Sequence, residues 1–532
     1  MSLAIDGKKQ NTIFRIVSVL TVLLVLSEIV LMVLFRETWV DEIFSAFKSY
    51  LYLKGELVPF VSGLFEYPPL VIPTYGLVHF VFGPSLISAR ILSSVFFSIM
   101  LVLLFLITKR HAGKVAGIFS VLLVASNLLL VGNFVSATMY SLVSVLTLGV
   151  VYVEGAGLSL NRRMIFSGIL IGLAILARTN LVVLALGYLL FLIVNRTSIS
   201  KILLFLITTL SVIVVGYLPL ISANTPLALS HIFSPFGYFG PLRDLPPSLK
   251  TGSQDIGRFL EVLTMFMKEY FGIILLSISV NFYVIYQKKN NLKSFIKNNP
   301  VYVLITILSL VFVGGHYLYW RIVSNVYYAN YFIPLFILAT VIPIFTFLNE
   351  EKFLKTLLTV LILVSFGTNL YRTDVISDPR QESDLDRLSR GVELIHEYIP
   401  EGSKVLSFDN SINHVFLSDR RTFMPLINRD FLFMPNADTE KIRDIGFYNM
   451  SMLKSWALES DYLALEKEYW PGSFLRSPFW GAGTEDVPKE IKEIQNIFND
   501  DYVLVAEALN VYPRKYTDGN DGGTLQIYKR IK

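Results

Sequence analysis

The chain has 532 residues, of which 53% are hydrophobic and 16% are charged, and its formal net charge is +5. One or two water-soluble domains would not keep so much apolar surface in solution, so the composition indicates a membrane protein. The absence of cysteine excludes disulfides, thiolate catalysis and cysteine-based metal sites. Lysines and arginines cluster between apolar runs, where they set membrane orientation, so no nucleic-acid partner is expected.

Apolar runs of about 20 residues recur along the chain, and this is the length that a helix needs to cross a hydrocarbon core. No cleavage pattern follows the first run, which we interpret as a retained signal anchor. Window hydropathy predicts about 11 transmembrane helices and therefore a polytopic α-helical membrane protein. The predicted spans are residues 13–35, 86–107, 115–131, 134–153, 164–177, 180–194, 202–221, 259–286, 300–319, 327–348 and 353–371.

The basic connections between these spans all fall on the side of the N-terminus, which predicts a cytoplasmic N-terminus in a multi-pass cell-membrane protein. They are Lys109 to His111, Arg162 and Arg163, Arg196 to Lys201, and Lys288 to Lys297. The opposite, extracytoplasmic side then receives the first outer loop (residues 36–85) and a long second loop (222–258). Because long loops are usually functional or disordered, we interpret residues 222–258 as a mobile cover over an entrance.

The chain becomes polar after residue 371, which divides it into a membrane domain (1–371) and a soluble extracytoplasmic domain (372–532). The soluble part reads as a helix from Asp384 to Tyr398 and a buried strand from Lys404 to Phe408, followed much later by two further strands. This pattern predicts a small α/β or α+β unit. The tripeptide Asn449-Met450-Ser451 has the N-glycosylation pattern, which also arises by chance.

The first outer loop carries the residues most suggestive of chemistry. Asp41 and Glu42 are adjacent acids directly beyond the first apolar run, followed by a run with the mixed helical spacing of an interfacial helix. Capping or solvating the start of a helix would explain both acids equally well. Glu66 and Tyr67 precede a proline pair, where Glu66 is either a ligand or a surface-turn acid.

Several short motifs follow one another along the chain in an order that resembles a known family. Asp41-Glu42, Gly55, an acid-x-Pro-Pro-Leu segment, Phe-Gly-Pro-Ser and Ser88-Ala89-Arg90 at a helix start are similar to the GT-C superfamily of membrane glycosyltransferases. The branch it resembles contains the protein O-mannosyltransferases and the aminoarabinose transferases of lipid A. The glycine-rich helix that ends in Arg178-Thr179-Asn180, and the segment from Trp320-Arg321 to Pro334, extend the resemblance over about residues 10–370.

The resemblance implies an inverting transfer of a sugar from a polyprenyl-phosphate-linked donor to a protein or lipid acceptor on the extracytoplasmic face. In that family an acid of the first outer loop is catalytic, and this implies a catalytic role for Asp41, with Glu42 beside it in the catalytic pair. A carboxylate near the acceptor can remove its proton, so we assign Asp41 as the catalytic base. The chain departs from the family pattern at Tyr67, because the aminoarabinose transferases usually have a lysine there. The Trp-Trp-Asp-Tyr-Gly signature of oligosaccharyltransferases is missing, which argues against transfer of a whole oligosaccharide to asparagine.

A departing polyprenyl phosphate is an anion and needs cations more than a general acid. Arg90, Arg178 and Arg321 fall at predicted outer helix ends, and we expect them to bind substrate together with Glu66, Tyr67 and His316. For any single arginine, snorkelling to headgroups or pairing with an acid is the competing explanation.

The sequence indicates no particular cofactor, and a divalent metal ion is an open alternative. His79, His231 and His316 could bind a metal with Glu66 or Asp41, but their spacing fits no zinc motif.

Two other functions compete with glycosyl transfer. A transporter or flippase of lipid-linked sugars would show related halves and charged or broken helices at mid-membrane, and the sequence has no clear repeat. A receptor or scaffold would explain the soluble part but would leave the acidic loop without a purpose.

Overall fold

The computed structural model describes residues 7–36, 38, 42, 49–55, 69–223, 225, 229, 256–319, 330–348, 352–369, 382–407, 411–423, 438–440, 448–467, 489–512 and 523–532. Most of the chain before residue 370 is helical. The helices are α1 (Gly7–Phe35), α2 (Leu77–Phe82, preceded by the π-helical turn Ile72–Gly76), α3 (Leu86–Ala125), α4 (Leu128–Val135), α5 (Tyr140–Gly155), α6 (Leu160–Ala177), α7 (Val182–Val194), α8 (Ile199–Ala223), α9 (Ile256–Lys288), α10 (Leu292–Asn298), α11 (Pro300–Tyr319), α12 (Ile333–Thr346) and α13 (Lys352–Asn369).

Local sequence explains where these helices begin and bend. Ser85 caps α3 by accepting a hydrogen bond from the amide of Ser88, and Asn127 caps α4 in the same way through Leu130. Within the 40 residues of α3, Gly113 has φ +92°, a conformation that other residues rarely adopt, and the helix kinks there.

The number of membrane-spanning helices differs from the prediction. Among the described residues, four helices are long and apolar enough to cross a membrane, or six if each of two bent helix pairs is counted as one span. For the part of the chain that the structure describes, the prediction of about 11 spans is therefore wrong. Hydropathy counts every apolar run, whereas two predicted runs merge in α3, α4 and α5 meet at 98°, and Thr179–Val194 and Asn330–Thr346 are shorter apolar helices.

The helices pack around a shared apolar core. α12 lies at its centre, since residues 333–344 are all buried, which is expected of a helix that is apolar on every face. α3 packs against α1, α5 and α12, while α6 runs closely along α8. This arrangement brings the ends of α1, α3, α5 and α6 towards the first outer loop.

The C-terminal part is a mixed sheet with helices. Its elements are α14 (Asp384–Tyr398), β1 (Lys404–Ser407), α15 (Ser411–Leu417), β2 (Arg421–Thr422), α16 (Met450–Glu459), β3 (Tyr462–Glu466), α17 (Lys489–Asp501), β4 (Tyr502–Leu509) and β5 (Thr524–Arg530). The strand order is β2-β1-β3-β5-β4, with β1 parallel to both neighbours and β5 antiparallel to both of its own. The predicted small domain of helices and strands is present.

The tripeptide that begins at Asn449 has a structural role. The Asn449 side chain caps α16 by accepting from the amide of Met452 at 3.0 Å, and its Nδ2 donates to Thr439 Oγ1 at 2.8 Å. Asn449 is 4% exposed. Because a glycan acceptor must be accessible, this side chain is not placed to receive one.

Candidate active site

Glu42 lies in a buried clamp of charged and polar groups. Its residue is 0% exposed, and its carboxylate accepts from Arg90 through Nε at 3.1 Å and Nη2 at 2.9 Å. Oε1 also accepts from the amide of Ala137 at 2.9 Å and lies 3.6 Å from Nη1 of Arg36. Arg36 in turn donates to Asn133 Oδ1 at 3.1 Å. The clamp therefore fixes the first outer loop to α3 and to the α4–α5 bend.

Arg90 also holds the end of α1. Its Nη1 donates to the carbonyl oxygens of Val33 and Arg36, each at 3.2 Å. The last carbonyls of a helix have no partner within the helix, and a cation is favourable there. Arg90 is 0% exposed, so a single guanidinium joins α1, α3 and the outer loop inside the protein.

A second cluster surrounds Arg178, where α6 stops. Arg178 has the extended φ of −155°, which ends the helix, and its side chain is half-buried. Its guanidinium carbon lies 5.3 Å from the ring centroid of Tyr140 and 5.8 Å from that of Tyr331, within the range of a cation–π contact. Asn180 donates to the hydroxyl of Tyr331 at 3.1 Å.

The two clusters adjoin each other through the α4–α5 bend. Ala137, which binds Glu42, is three residues from Tyr140, which lies against Arg178. The hydroxyl of Tyr75 bonds Ser93 Oγ and the carbonyl of Thr138, both at 2.6 Å, and so ties the π-helical turn to the same bend.

The segment that follows the proline pair reaches the Arg178 cluster by its main chain. The amide of Leu70 donates to the carbonyl of Leu176 at 3.0 Å, two residues before Arg178. Both parts of the first outer loop are thereby held at one end of the helical bundle.

The predicted site residues fall into two groups. Glu42, Arg90 and Arg178 are brought to one end of the bundle. Asp41, Glu66, Tyr67 and Arg321 lie outside the described residues, as do His231 and the side chain of His316 on α11, so their roles stay predictions. Most of the loop at 222–258 also lies outside the described part of the chain.

His79 is buried and hydrogen-bonded to the backbone of a nearby turn. It is 4% exposed, and its Nδ1 accepts from the amide of Ser85 at 3.2 Å, across the turn that contains Gly83 with φ +79°. Within the described part of the chain, no group of three or more histidine, aspartate or glutamate side chains could hold a metal ion. Metal dependence stays open.

Several contributors to the site were missed from the sequence. Arg36 is the first charge after a long apolar run, and its position beside the acidic pair could have singled it out. The aromatic rings of Tyr140 and Tyr331, and the amide of Ala137, had no local signal because their partners are far away in the chain.

Comparison with known proteins agrees with this architecture. Residues 66–219 match the family described as dolichyl-phosphate-mannose-protein mannosyltransferase. The whole chain is similar to the crystal structure of ArnT from Cupriavidus metallidurans bound to undecaprenyl phosphate, with 10% identity, 98% of each chain covered and a TM-score of 0.61.

It is also similar to the oligosaccharyltransferase AglB from Archaeoglobus fulgidus in complex with an inhibitory peptide and a dolichol-phosphate. There the identity is 11%, 96% of this chain and 88% of that chain are covered, and the TM-score is 0.51. No curated protein matches the chain. The chain thus has a GT-C fold of the ArnT- and protein-mannosyltransferase-like kind, which confirms the resemblance predicted from its motifs.

Proposed function

We propose that the protein is a membrane glycosyltransferase that moves a sugar from a polyprenyl-phosphate donor to a protein or lipid acceptor on the extracytoplasmic face. The observation that carries this proposal is the buried Glu42–Arg90 clamp, which fixes the acidic outer loop beside the half-buried Arg178. The fold supports it, because solved structures with that fold contain undecaprenyl phosphate or dolichol-phosphate.

The two acids of the loop have different roles in this proposal. Glu42 is 0% exposed and bonded to Arg90 and Ala137, so it is poorly placed to take a proton from an acceptor. We therefore assign Glu42 as a positioning residue. A general base must come within hydrogen-bond reach of the proton that it removes, and the buried Glu42 does not meet this requirement. Asp41, its neighbour in the chain, therefore remains the candidate base.

The arginines also have different roles in this proposal, one in positioning the loop and one in binding the donor. Arg90 is occupied by Glu42 and the end of α1, and it holds the loop. Arg178 is half-buried and lies against two tyrosine rings, so we assign it to the donor phosphate, with Arg321 as a second candidate. A guanidinium binds phosphate through two parallel hydrogen bonds, which stabilises the departing anion.

The reaction follows in one step. The acceptor oxygen or nitrogen forms a bond to the anomeric carbon while the bond from that carbon to the phosphate oxygen breaks. The electron pair leaves with the polyprenyl phosphate, and the acceptor proton passes to the carboxylate of Asp41. A single displacement inverts the anomeric configuration, unlike the covalent two-step route of retaining glycosidases.

The proposed orientation follows from the basic connections. Arg162 and Arg163 begin α6, and Arg178 follows its other end, so a cytoplasmic position for the first pair places Arg178 on the extracytoplasmic side. The N-terminus would then be cytoplasmic in a multi-pass protein, and the domain after residue 371 extracytoplasmic.

The test measures release of polyprenyl phosphate from labelled polyprenyl-phosphate sugars by the purified protein with a membrane extract as acceptor source. Asp41→Asn should abolish release while donor binding persists. Glu459→Gln, which changes an exposed acid on α16, is the matched control and should keep full activity. If the wild type binds donor without releasing phosphate, transfer is refuted and lipid flipping becomes the function to assay.

A further inference from the structure

The C-terminal domain meets the first outer loop through its helices. At the start of α14, Asp384 Oδ2 accepts from the amide of Thr38 at 2.9 Å, although the two residues are 346 positions apart. Thr38 is 1% exposed and Asp384 is 3% exposed. A charge-assisted hydrogen bond in such a buried place is stronger than one at the surface.

A second contact between the C-terminal domain and the first outer loop forms further along the loop, at Tyr50 and Lys54. Asp419, in the turn after α15, accepts from Lys54 Nζ at 2.9 and 3.0 Å and from the hydroxyl of Tyr50 at 3.1 Å. Burial lowers the pKa of Lys54, but its hydrogen bonds to Asp419 and Tyr50 outweigh burial and raise the pKa above its ordinary value. Lys54 therefore keeps its charge, and the ion pair persists across the physiological pH range.

Apolar side chains also pack at this interface between the C-terminal domain and the membrane part. Leu388 of α14 is 2% exposed and Phe416 of α15 is 0% exposed, and both belong to the hydrophobic core that contains Met32 and Val33 of α1. The domain is thus packed onto the membrane part by buried surface, with the two polar contacts at its edges.

The position of these contacts along the chain suggests what they do. Thr38 lies three residues before Asp41, and Tyr50 lies nine residues after it. Holding a chain at fixed points costs conformational entropy that the contacts must offset, so the contacts at Thr38 and Tyr50 restrict the backbone at these two residues. The Glu42 clamp then fixes the segment at one point between its ends.

We propose that Asp384 and Asp419 are positioning residues for glycosyl transfer: the soluble domain holds the first outer loop in the conformation in which Asp41 acts. This inference rests on the proposed function and extends it, because it makes the docked domain a working part of the catalytic loop. Glycosyl transfer depends strongly on small displacements of the reacting groups, so a loosened loop loses rate more than donor affinity.

The first test compares two acids at the start of one helix. Asp384→Ala should lower kcat about tenfold or more, the effect of losing one charged hydrogen bond, with donor KM within about twofold. Asp386→Ala is the matched control, because it breaks the capping box with Ser383 without touching Thr38, and its kcat should stay within about twofold. Asp384→Asn should restore most of the rate, since the amide oxygen accepts the same hydrogen bond.

Equal losses of kcat in Asp384→Ala and Asp386→Ala would overturn the proposal, since the residue would then only stabilise its domain. A rise in donor KM with unchanged kcat would overturn it as well.

The second test uses the absence of cysteine. Lys54→Cys with Asp419→Cys removes the ion pair, and both positions are partly exposed to thiol reagents. This double variant should lose kcat, and a short bis-maleimide should restore it by holding the domain in place. The two single-cysteine variants, treated identically, should show no restoration. Abolished turnover in the cross-linked protein would refute the proposal, because the domain would then have to leave the loop.

The cross-linking yield is a readout that does not depend on transfer. Wild-type protein without transfer activity would refute the proposed function, whereas efficient cross-linking in that case would still report the docked domain. A working enzyme whose variants show no loss would instead refute only the positioning role.

Discussion

Adjacent acids can have different environments even when they share one loop, and Glu42 is the clear case. Both of its carboxylate oxygens are occupied inside the protein by Arg90, with Ala137 and Arg36 close by. Burying a charge is costly unless its partner is present, so such a pair tolerates the loss of neither member. Glu42 therefore contributes to the site by holding the loop that also carries Asp41.

Replacing Glu42 with glutamine should destabilise the protein by about 3 kcal/mol, because two buried arginines then lose their carboxylate. Thermal unfolding in detergent or lipid measures the change. Glu382→Gln is the control: its side chain is about one-third exposed beside Arg390, and a surface pair contributes about 1 kcal/mol at most. Equal shifts for the two variants would contradict the assignment of a buried clamp.

Arg178 carries the prediction about the donor. Arg178→Ala should raise the donor KM about tenfold, as expected for the loss of a charged contact to phosphate. Arg162→Ala is matched, since Arg162 is an exposed arginine in the first turn of the same helix, and its KM should not change. Titration with labelled donor distinguishes the two variants, and an unchanged KM in Arg178→Ala would remove this residue from the donor site.

At the scale of elements, two glycines set the distance between α6 and α8. A Cβ added at Gly172 would lie 2.7 Å from Cβ of Val212, and one at Gly168 would lie 2.9 Å from Cβ of Thr208. Small residues four positions apart let helix backbones approach closely in membranes. Because Arg178 directly follows α6, this packing also sets its position.

Gly172→Ala should therefore destabilise the helical part by about 2 kcal/mol, since the neighbouring helix must move. Gly367→Ala offers the comparison, because a Cβ at Gly367 in α13 meets nothing within 4 Å, and alanine should be neutral or stabilising there. Chemical or thermal unfolding of both variants provides the measurement. A neutral Gly172→Ala would mean that α6 and α8 are not in close contact.

The C-terminal domain contains a buried histidine that makes its stability depend on pH. Burial lowers the pKa of His414 to about 4, while a hydrogen bond to the carbonyl of Val511 opposes this shift. Unfolding exposes His414 at its ordinary value of about 6.5, so the unfolded chain binds a proton first as the pH falls. The contribution of neutral His414 to the free energy of unfolding is therefore fully present above about pH 6.5. It decreases by about 3 kcal/mol as the pH falls towards 4.

The unfolding temperature measured between pH 7 and pH 4 tests this prediction. His414→Gln should flatten the curve even though it lowers stability at neutral pH. An unchanged slope in His414→Gln would assign the pH dependence to other groups.

At the scale of the whole molecule, local patterns were predictable and distant pairings were not. The helix from Asp384 to Tyr398 and the break at Arg178 were predicted, because hydrophobic periodicity and an interrupted apolar run are local signals. The pair of Glu42 with Arg90 joins residues 48 positions apart, and the bond from Thr38 to Asp384 spans 346. Hydropathy also failed to count the spans, since it does not report where an apolar run bends.

The joint between the two parts should survive cleavage of the chain. A protease site introduced within residues 370–381 should leave the two fragments together, even in about 1 M salt, because screening weakens the exposed Lys54–Asp419 pair but not the buried core at Leu388 and Phe416. Co-purification after cleavage measures the association. Separation at high salt would mean that charge alone holds the domain.

The bond from Leu70 to Leu176 uses main-chain atoms only. No ordinary change of side chain removes it, and only proline at position 70 would delete its donor. The two segments can therefore stay joined while the residues around them drift during evolution. The contact between the first outer loop and α6 is therefore insensitive to the identity of the side chains at positions 70 and 176.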